Sequence, residues 1–144
     1  MNTCCFSGHR EIEESEYDEV VEKTDRYIEE LIGRDFCCFM VGGAKGYDYL
    51  AAQRVLLKKK EHMNIQLLIA FPYAPRNDEW DNIIKQADLA TILADHYYRG
   101  CMQARNRYMV EQSQACVCYM RKETGGTVYT VNYAKKKGLD IFRV

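Results

Sequence analysis

The sequence predicts an α/β fold with a mostly parallel sheet of six strands and about five helices. Two observations carry this. Short apolar runs alternate along the whole chain with segments of helical period. One run, "FCCFMV" at 36–41, is continuously apolar, as a strand buried on both faces should be.

The elements follow in order. "TCCF" (3–6) is a short strand that stops at Ser7-Gly8. Between 16 and 33, Val20, Val21, Thr24, Tyr27, Ile28, Leu31 and Ile32 recur at steps of three and four, which marks a helix face, and Gly33 fits its end. After the strand at 36–41, residues 47–60 form a helix with Leu50, Ala51, Val55 and Leu56 inward and three lysines at its C-terminus, where the dipole favours cations. "IQLLIAF" (65–71) is a strand stopped by Pro72, and a short helix follows near 79–87. "ATIL" (90–93) is a weaker strand. Residues 101–113 read as a helix with Met102, Met109 and Val110 inward, "ACVCYM" (115–120) as a strand, 126–137 as a helix with Val128, Val131 and Ala134 inward, and "DIFRV" as the last strand.

The chain has 144 residues, 47% hydrophobic and 28% charged, which suits one globular domain over 1–144 with a sizeable core. The net charge of −1 argues against duplex DNA as partner, because such binding draws on a basic surplus, although a local basic patch is compatible with it. No apolar run reaches the roughly 18 residues of a membrane span, and no signal region opens the chain, so a cytoplasmic protein without a membrane partner is expected. The seven cysteines lack metal-knuckle spacing: Cys4-Cys5 and Cys37-Cys38 are adjacent, and Cys116 and Cys118 alternate. They read as small buried hydrophobes, with Cys101, after a glycine and outside an apolar run, as the exposed thiol. Neither a metal nor a cofactor is expected.

Ligands of such sheets bind beyond the carboxyl ends of the strands, so polar and glycine-rich residues that follow strands are the candidates for a site. "SGHR" (Ser7, Gly8, His9, Arg10) offers a turn and two side chains that reach an anion, or else a surface turn with a solvated arginine. "GGAKGYD" (Gly42, Gly43, Ala44, Gly46, Asp48) is either a tight strand-to-helix turn or a cradle whose amides face a phosphate at a helix N-terminus. It is not a Walker loop, because no G-K-[ST] follows. In "RNRYMVEQS", Arg105 shares a face with Met102 and Met109 and needs a carboxylate or a ligand as partner, whereas Arg107 points elsewhere. "ETGGTVYT" (Gly125, Gly126, Thr127, Thr130) is a second anion-friendly helix start. Trp80 and Tyr73 either stack on a base or, for Trp80, cover the core edge.

These stretches, in this order, resemble the SLOG superfamily, which joins the DNA-processing protein A (Smf) family with the LOG-type nucleotide phosphoribohydrolases; the resemblance is closest to its YpsA-like branch. It rests on "CCFSGHR", "VGGAKGYDYLAAQRVL", "FPY…W", "GCMQARNRYMVEQSQACVCY" and "GGTVYTVNYAKKKG". It implies a Rossmann-like three-layer sandwich, a nucleotide-type pocket over the strand ends and a homodimer. Arg105 takes the place of the LOG enzymes' catalytic arginine. Those enzymes place a glutamate three residues after the threonine of their second glycine turn, where this chain has Thr130. Glycosidic cleavage uses a carboxylate, and Asp48 is the candidate substitute. The expected function is therefore binding or sensing of a nucleotide-like small molecule. The alternatives are a nucleotide hydrolase using Arg105 and Asp48, and single-stranded DNA binding as in the Smf proteins.

Overall fold

The computed structural model describes residues 2–144. It comprises β1 (Asn2–Gly8), a 3₁₀ turn (Glu14–Glu16), α1 (Tyr17–Gly33), β2 (Phe36–Val41), α2 (Tyr47–Lys59), β3 (Gln66–Phe71), α3 (Asp81–Gln86), β4 (Leu89–Ile92), α4 (Cys101–Glu111), β5 (Ala115–Tyr119), α5 (Gly126–Lys136) and β6 (Asp140–Arg143). The strands form one sheet in the order β4-β3-β2-β1-β5-β6. Every neighbouring pair is parallel. No helix among the described residues is long and apolar enough to cross a membrane.

Period-2 alternation sorts the strand side chains into two cores. Cys4, Phe6, Phe39, Val41, Leu67, Ile69, Val117 and Tyr119 face α1, α2 and α3. Cys5, Met40, Ala70, Cys116 and Cys118 face α4 and α5. The result is the Rossmann-like α/β/α sandwich. Each fully buried Phe, Leu, Ile or Val contributes about 1.5–3 kcal/mol. Polar ties fix α1 against α2: Arg54 donates two hydrogen bonds to Asp25, at 2.9 and 2.8 Å.

Two local readings change, at β1 and α5, and Gly33 ends α1 as read. β1 runs on through Ser7 and Gly8, which pair with Cys118 and Tyr119 of β5, so the turn begins at His9. Beyond Gly33, Asp35 takes the left-handed conformation, with φ 66°. The inward stripe of α5 is Thr127, Thr130, Val131 and Ala134, with Val128 only half-buried.

Tyr47 explains why Gly8 carries no side chain. Its ring is fully buried beside Phe6 and Tyr119, at centroid distances of 6.4 and 5.8 Å, and its hydroxyl meets Thr24 Oγ1 at 2.8 Å. A Cβ on Gly8 would lie 2.5 Å from the Tyr47 Cβ. Gly33 has open space around it. Gly8→Ala is therefore expected to cost about 1–3 kcal/mol through overpacking, and Gly33→Ala to stabilise by about 0.4–1 kcal/mol. Urea midpoints moving in these opposite directions at constant m are the check.

Candidate functional site

The chain leaves β1 toward β2 on one side and returns to pair β5 on the other, so the strand order reverses between β1 and β5. A crevice opens beyond the carboxyl ends of strands at such a switch point. Here it is a cavity of about 510 Å³. Ser7, Gly8, His9, Arg10, Ala44, Asp48, Arg105, Gly125, Gly126 and Thr127 line it. Gly43 belongs to an adjoining cavity of about 240 Å³ at the end of β3, which shares Arg10, Ala44, Met102 and Arg105 with the first. Gly42, Gly46 and Thr130 line neither.

A buried guanidinium spans the sheet end. Cys101, Arg105 and Met109, spaced by four, form the inward stripe of α4 and are all buried. Arg105 donates through Nη1 to the Gly42 carbonyl, which ends the β2 run, and through Nε to Asn106 Oδ1 at 2.7 Å. Asp48 reaches the same place from the first turn of α2, where its Oδ2 accepts the Ala44 N–H at 3.2 Å. A Cβ on Gly42 would lie 2.9 Å from both Arg105 Nη1 and Asp48 Oδ2, so the absence of a side chain there lets the two charges close in. Burial raises the Asp48 carboxyl above its ordinary value, against the pull of Arg105 and of the Ala44 and Gly42 amides. Burial likewise lowers the Arg105 guanidinium, against the pull of Asp48. The partner Arg105 needs is thus internal, and the residue borders both cavities.

The Gly42–Gly46 loop is also stitched to its neighbours. The Ala44 amide is taken by Asp48, and the Tyr47 amide donates to the His9 carbonyl at 3.1 Å. Gly43 (φ 73°) lies where a side chain would enter the Phe71 ring, and Gly46 (φ 79°) where it would meet the Arg10 backbone. Gly43 and Gly46 serve close packing, and the Ala44 amide serves an internal bond. The start of α5 differs: Gly125 and Gly126 have open space, and the first N–H groups of a helix precede any intrahelical carbonyl. Thr127 is buried but borders the groove, whereas Thr130 turns back and donates to the Gly126 carbonyl at 2.9 Å. Thr130 therefore completes a helical turn and does not face the groove.

His9 is not an anion-seeking cation. Its Nε2 accepts the Arg121 and Lys122 amides at 2.8 and 3.3 Å, so the ring proton sits on Nδ1 and the ring is neutral. It ties the β1 exit to the β5–α5 segment. Cys101, expected to be exposed, is buried because it begins the inward stripe of α4, and Cys37 is the half-exposed thiol. Trp80 covers the core edge, packed edge-on against Tyr49 and Phe71 at 5.3 and 5.9 Å. Arg107 leaves the groove and donates to the Tyr129 hydroxyl at 3.1 Å.

A family model described as YpsA, the YspA SLOG family, matches residues 5–140. The chain belongs to the YpsA SLOG family. The SPbeta prophage-derived protein YoqJ of Bacillus subtilis is 32% identical to this YpsA-family chain across 76% of each. Among solved structures, DNA processing protein A from Streptococcus pneumoniae superposes with a TM-score of 0.75 at 16% identity. That match covers 99% of this chain and 50% of the other, so the YpsA-family chain spans half the neighbour's length. DNA processing protein A from Helicobacter pylori, whose structure is described for its single-stranded DNA binding mode, superposes at 0.71 and 15%, over 99% of this chain and 64% of that one. At these identities the likeness is one of fold.

The groove also includes Met102, read from the sequence as an inward apolar residue, and Asn106, Lys122 and Thr124, which sequence reasoning did not single out. Their signal was adjacency: Asn106 follows Arg105, and Lys122 and Thr124 precede the second glycine turn.

The His9 contacts make stability depend on pH. Burial first, then Lys122 and Arg121, hold its pKa below the ordinary 6.5. The unfolded chain takes up the proton first, so the contribution is whole above about 6.5 and is lost as the pH falls from there toward the folded value. Melting temperatures recorded from pH 8 to 5 should fall below about 6.5. His9→Gln, which keeps an acceptor and cannot titrate, should flatten that part of the profile.

Proposed function

We propose that the switch-point groove binds a nucleotide or nucleotide-derived ligand and that the domain acts as a binding or sensing module. The observation that carries this reading is convergence. The free-standing start of α5, the exposed Arg10, the inner Arg105 and the buried Asp48 all border one cavity of about 510 Å³, well within the ~300–1,000 Å³ of small-molecule sites. The first amides of α5 and the dipole behind them suit a phosphate. Arg10 forms no ion pair among the described residues and is available to it. Asp48 suits a sugar hydroxyl.

Two other readings have observations behind them. A buried carboxyl with a raised pKa beside a cavity is what acid–base chemistry on a glycosidic or phosphate bond requires. The basic residues Arg10, Lys45, Arg76, Arg105 and Lys122 gather on the two adjoining cavities despite the net charge of −1. The expectation against nucleic acid, drawn from net charge alone, therefore has no support at this edge, and single-stranded DNA remains a reading.

A thermal-shift panel of mono-, di-, cyclic and ADP-ribose-type nucleotides tests the binding proposal. At a hundredfold excess over Kd, a ligand should raise the melting temperature by roughly 5–10 °C, and Arg10→Ala should weaken it about tenfold to a hundredfold. No stabilisation by any member at millimolar concentration would overturn the proposal. Chromatography of the incubated nucleotide separates binding from turnover. Free base that disappears with Asp48→Asn supports the hydrolase, and intact recovery excludes it. A mobility shift that weakens steeply with salt is the expectation for single-stranded DNA.

A further inference from the structure

We infer that the 240 Å³ cavity at the end of β3 is a base compartment, so that the ligand lies along the sheet edge with its ring toward β3 and its phosphate toward α5. This rests on the nucleotide reading of the larger groove and adds an orientation and a specificity-determining residue, Tyr73. The smaller cavity is below the ~300 Å³ at which whole-ligand sites begin, so it suits one ring system. Lys45, Arg76, Asn77 and Glu79 supply polar groups to it, and the part of its lining beside β3 is flat and apolar. Phe71 and Trp80 are buried and form the floor, Pro72 borders it, and Tyr73 is a half-buried wall braced edge-on by Tyr97 at 5.8 Å. Such surfaces favour stacking on a π-face, which every base presents.

The connection between the cavities supports the same orientation. Arg10, Met102 and Arg105 border both. A ligand that fills both must cross the two guanidinium groups, and cations at that crossing favour the sugar–phosphate part over a second ring. The loop that starts α2 also borders the smaller cavity, but its Ala44 amide is taken by Asp48 and its Gly43 and Gly46 are closed in by Phe71 and the Arg10 backbone, while α3 has only six residues. The phosphate therefore belongs at α5 and the ring at Tyr73. The shared chemistry, a base–sugar–phosphate unit, occurs both in a free nucleotide and in a single strand.

Calorimetric titration with AMP, GMP, CMP, UMP and ribose 5-phosphate tests the assignment on wild type, Tyr73→Ala and Tyr73→Phe. In wild type, the tightest nucleotide should bind at least tenfold more strongly than ribose 5-phosphate. Tyr73→Ala should weaken that nucleotide about tenfold and leave ribose 5-phosphate within twofold, and Tyr73→Phe should restore the nucleotide. Nucleotide binding unchanged in Tyr73→Ala, or lost together with ribose 5-phosphate, overturns the base compartment while the nucleotide reading stands. Failure of all five probes on wild type overturns the base compartment, and the wider thermal-shift panel then decides the nucleotide reading. A thymidine 12-mer distinguishes the sources: loss of its binding in Tyr73→Ala, with mononucleotides binding no tighter than ribose 5-phosphate, overturns a free-nucleotide compartment in favour of a strand.

Discussion

The site depends on one buried contact, the Arg105 guanidinium on the Gly42 carbonyl with Asp48 beside it. Arg105 stands on a helix of one layer, and Asp48 on a helix of the other. Their meeting point lies beyond the end of β2, so the pair joins the two helical layers across the edge of the sheet. Neither charge is well solvated, and each makes the other tolerable. Removing one alone strands the other. The wall between the two cavities is therefore fixed, while their outer rims, at Tyr73 and at the α5 start, are built from loops.

A second set of contacts holds the loops to one another. The His9 carbonyl takes the Tyr47 amide and its ring takes the Arg121 and Lys122 amides. Arg121 then lies over the Tyr119 ring at 4.7 Å and pairs with Glu16 at 3.1 Å. Three strand exits are thereby connected through a single residue. This matters for binding, because a groove lined by mutually braced loops loses less entropy on occupation than one lined by free loops.

The order and type of every strand and α-helix were legible in the sequence, because continuous apolar runs and helical periods are strong in "FCCFMV" and in 17–33. What the sequence hid was the partner of each polar group. Arg105 on an apolar face announced a need for a counter-charge, but only the fold brings Asp48 and the Gly42 carbonyl to it. The glycines misled in part. Gly42, Gly43 and Gly46 look like a phosphate loop, and in the structure their lack of side chains admits Arg105, Phe71 and the Arg10 backbone. Thr130 looked like a ligand residue because it follows a glycine turn, and its position four residues after Gly126 lets it bond that carbonyl. Cys101 was misjudged because a helix stripe of Cys, Arg and Met does not read as apolar.

The cysteines carry a consequence for handling and measurement. All seven are unpaired, and all but Cys37 are buried. Burial holds the Cys4 thiol well above its ordinary range, the contact with Cys5 and then burial do the same for Cys116, and burial puts Cys118 at about 11, so the reactive thiolates of these three are scarce in the native state. An alkylating reagent in the dark interior of this sheet has nothing to attack until the sheet opens. Labelling of Cys37 thus marks the intact molecule, and labelling of Cys4, Cys5, Cys116 and Cys118 becomes a clock for how often β1 and β5 come apart.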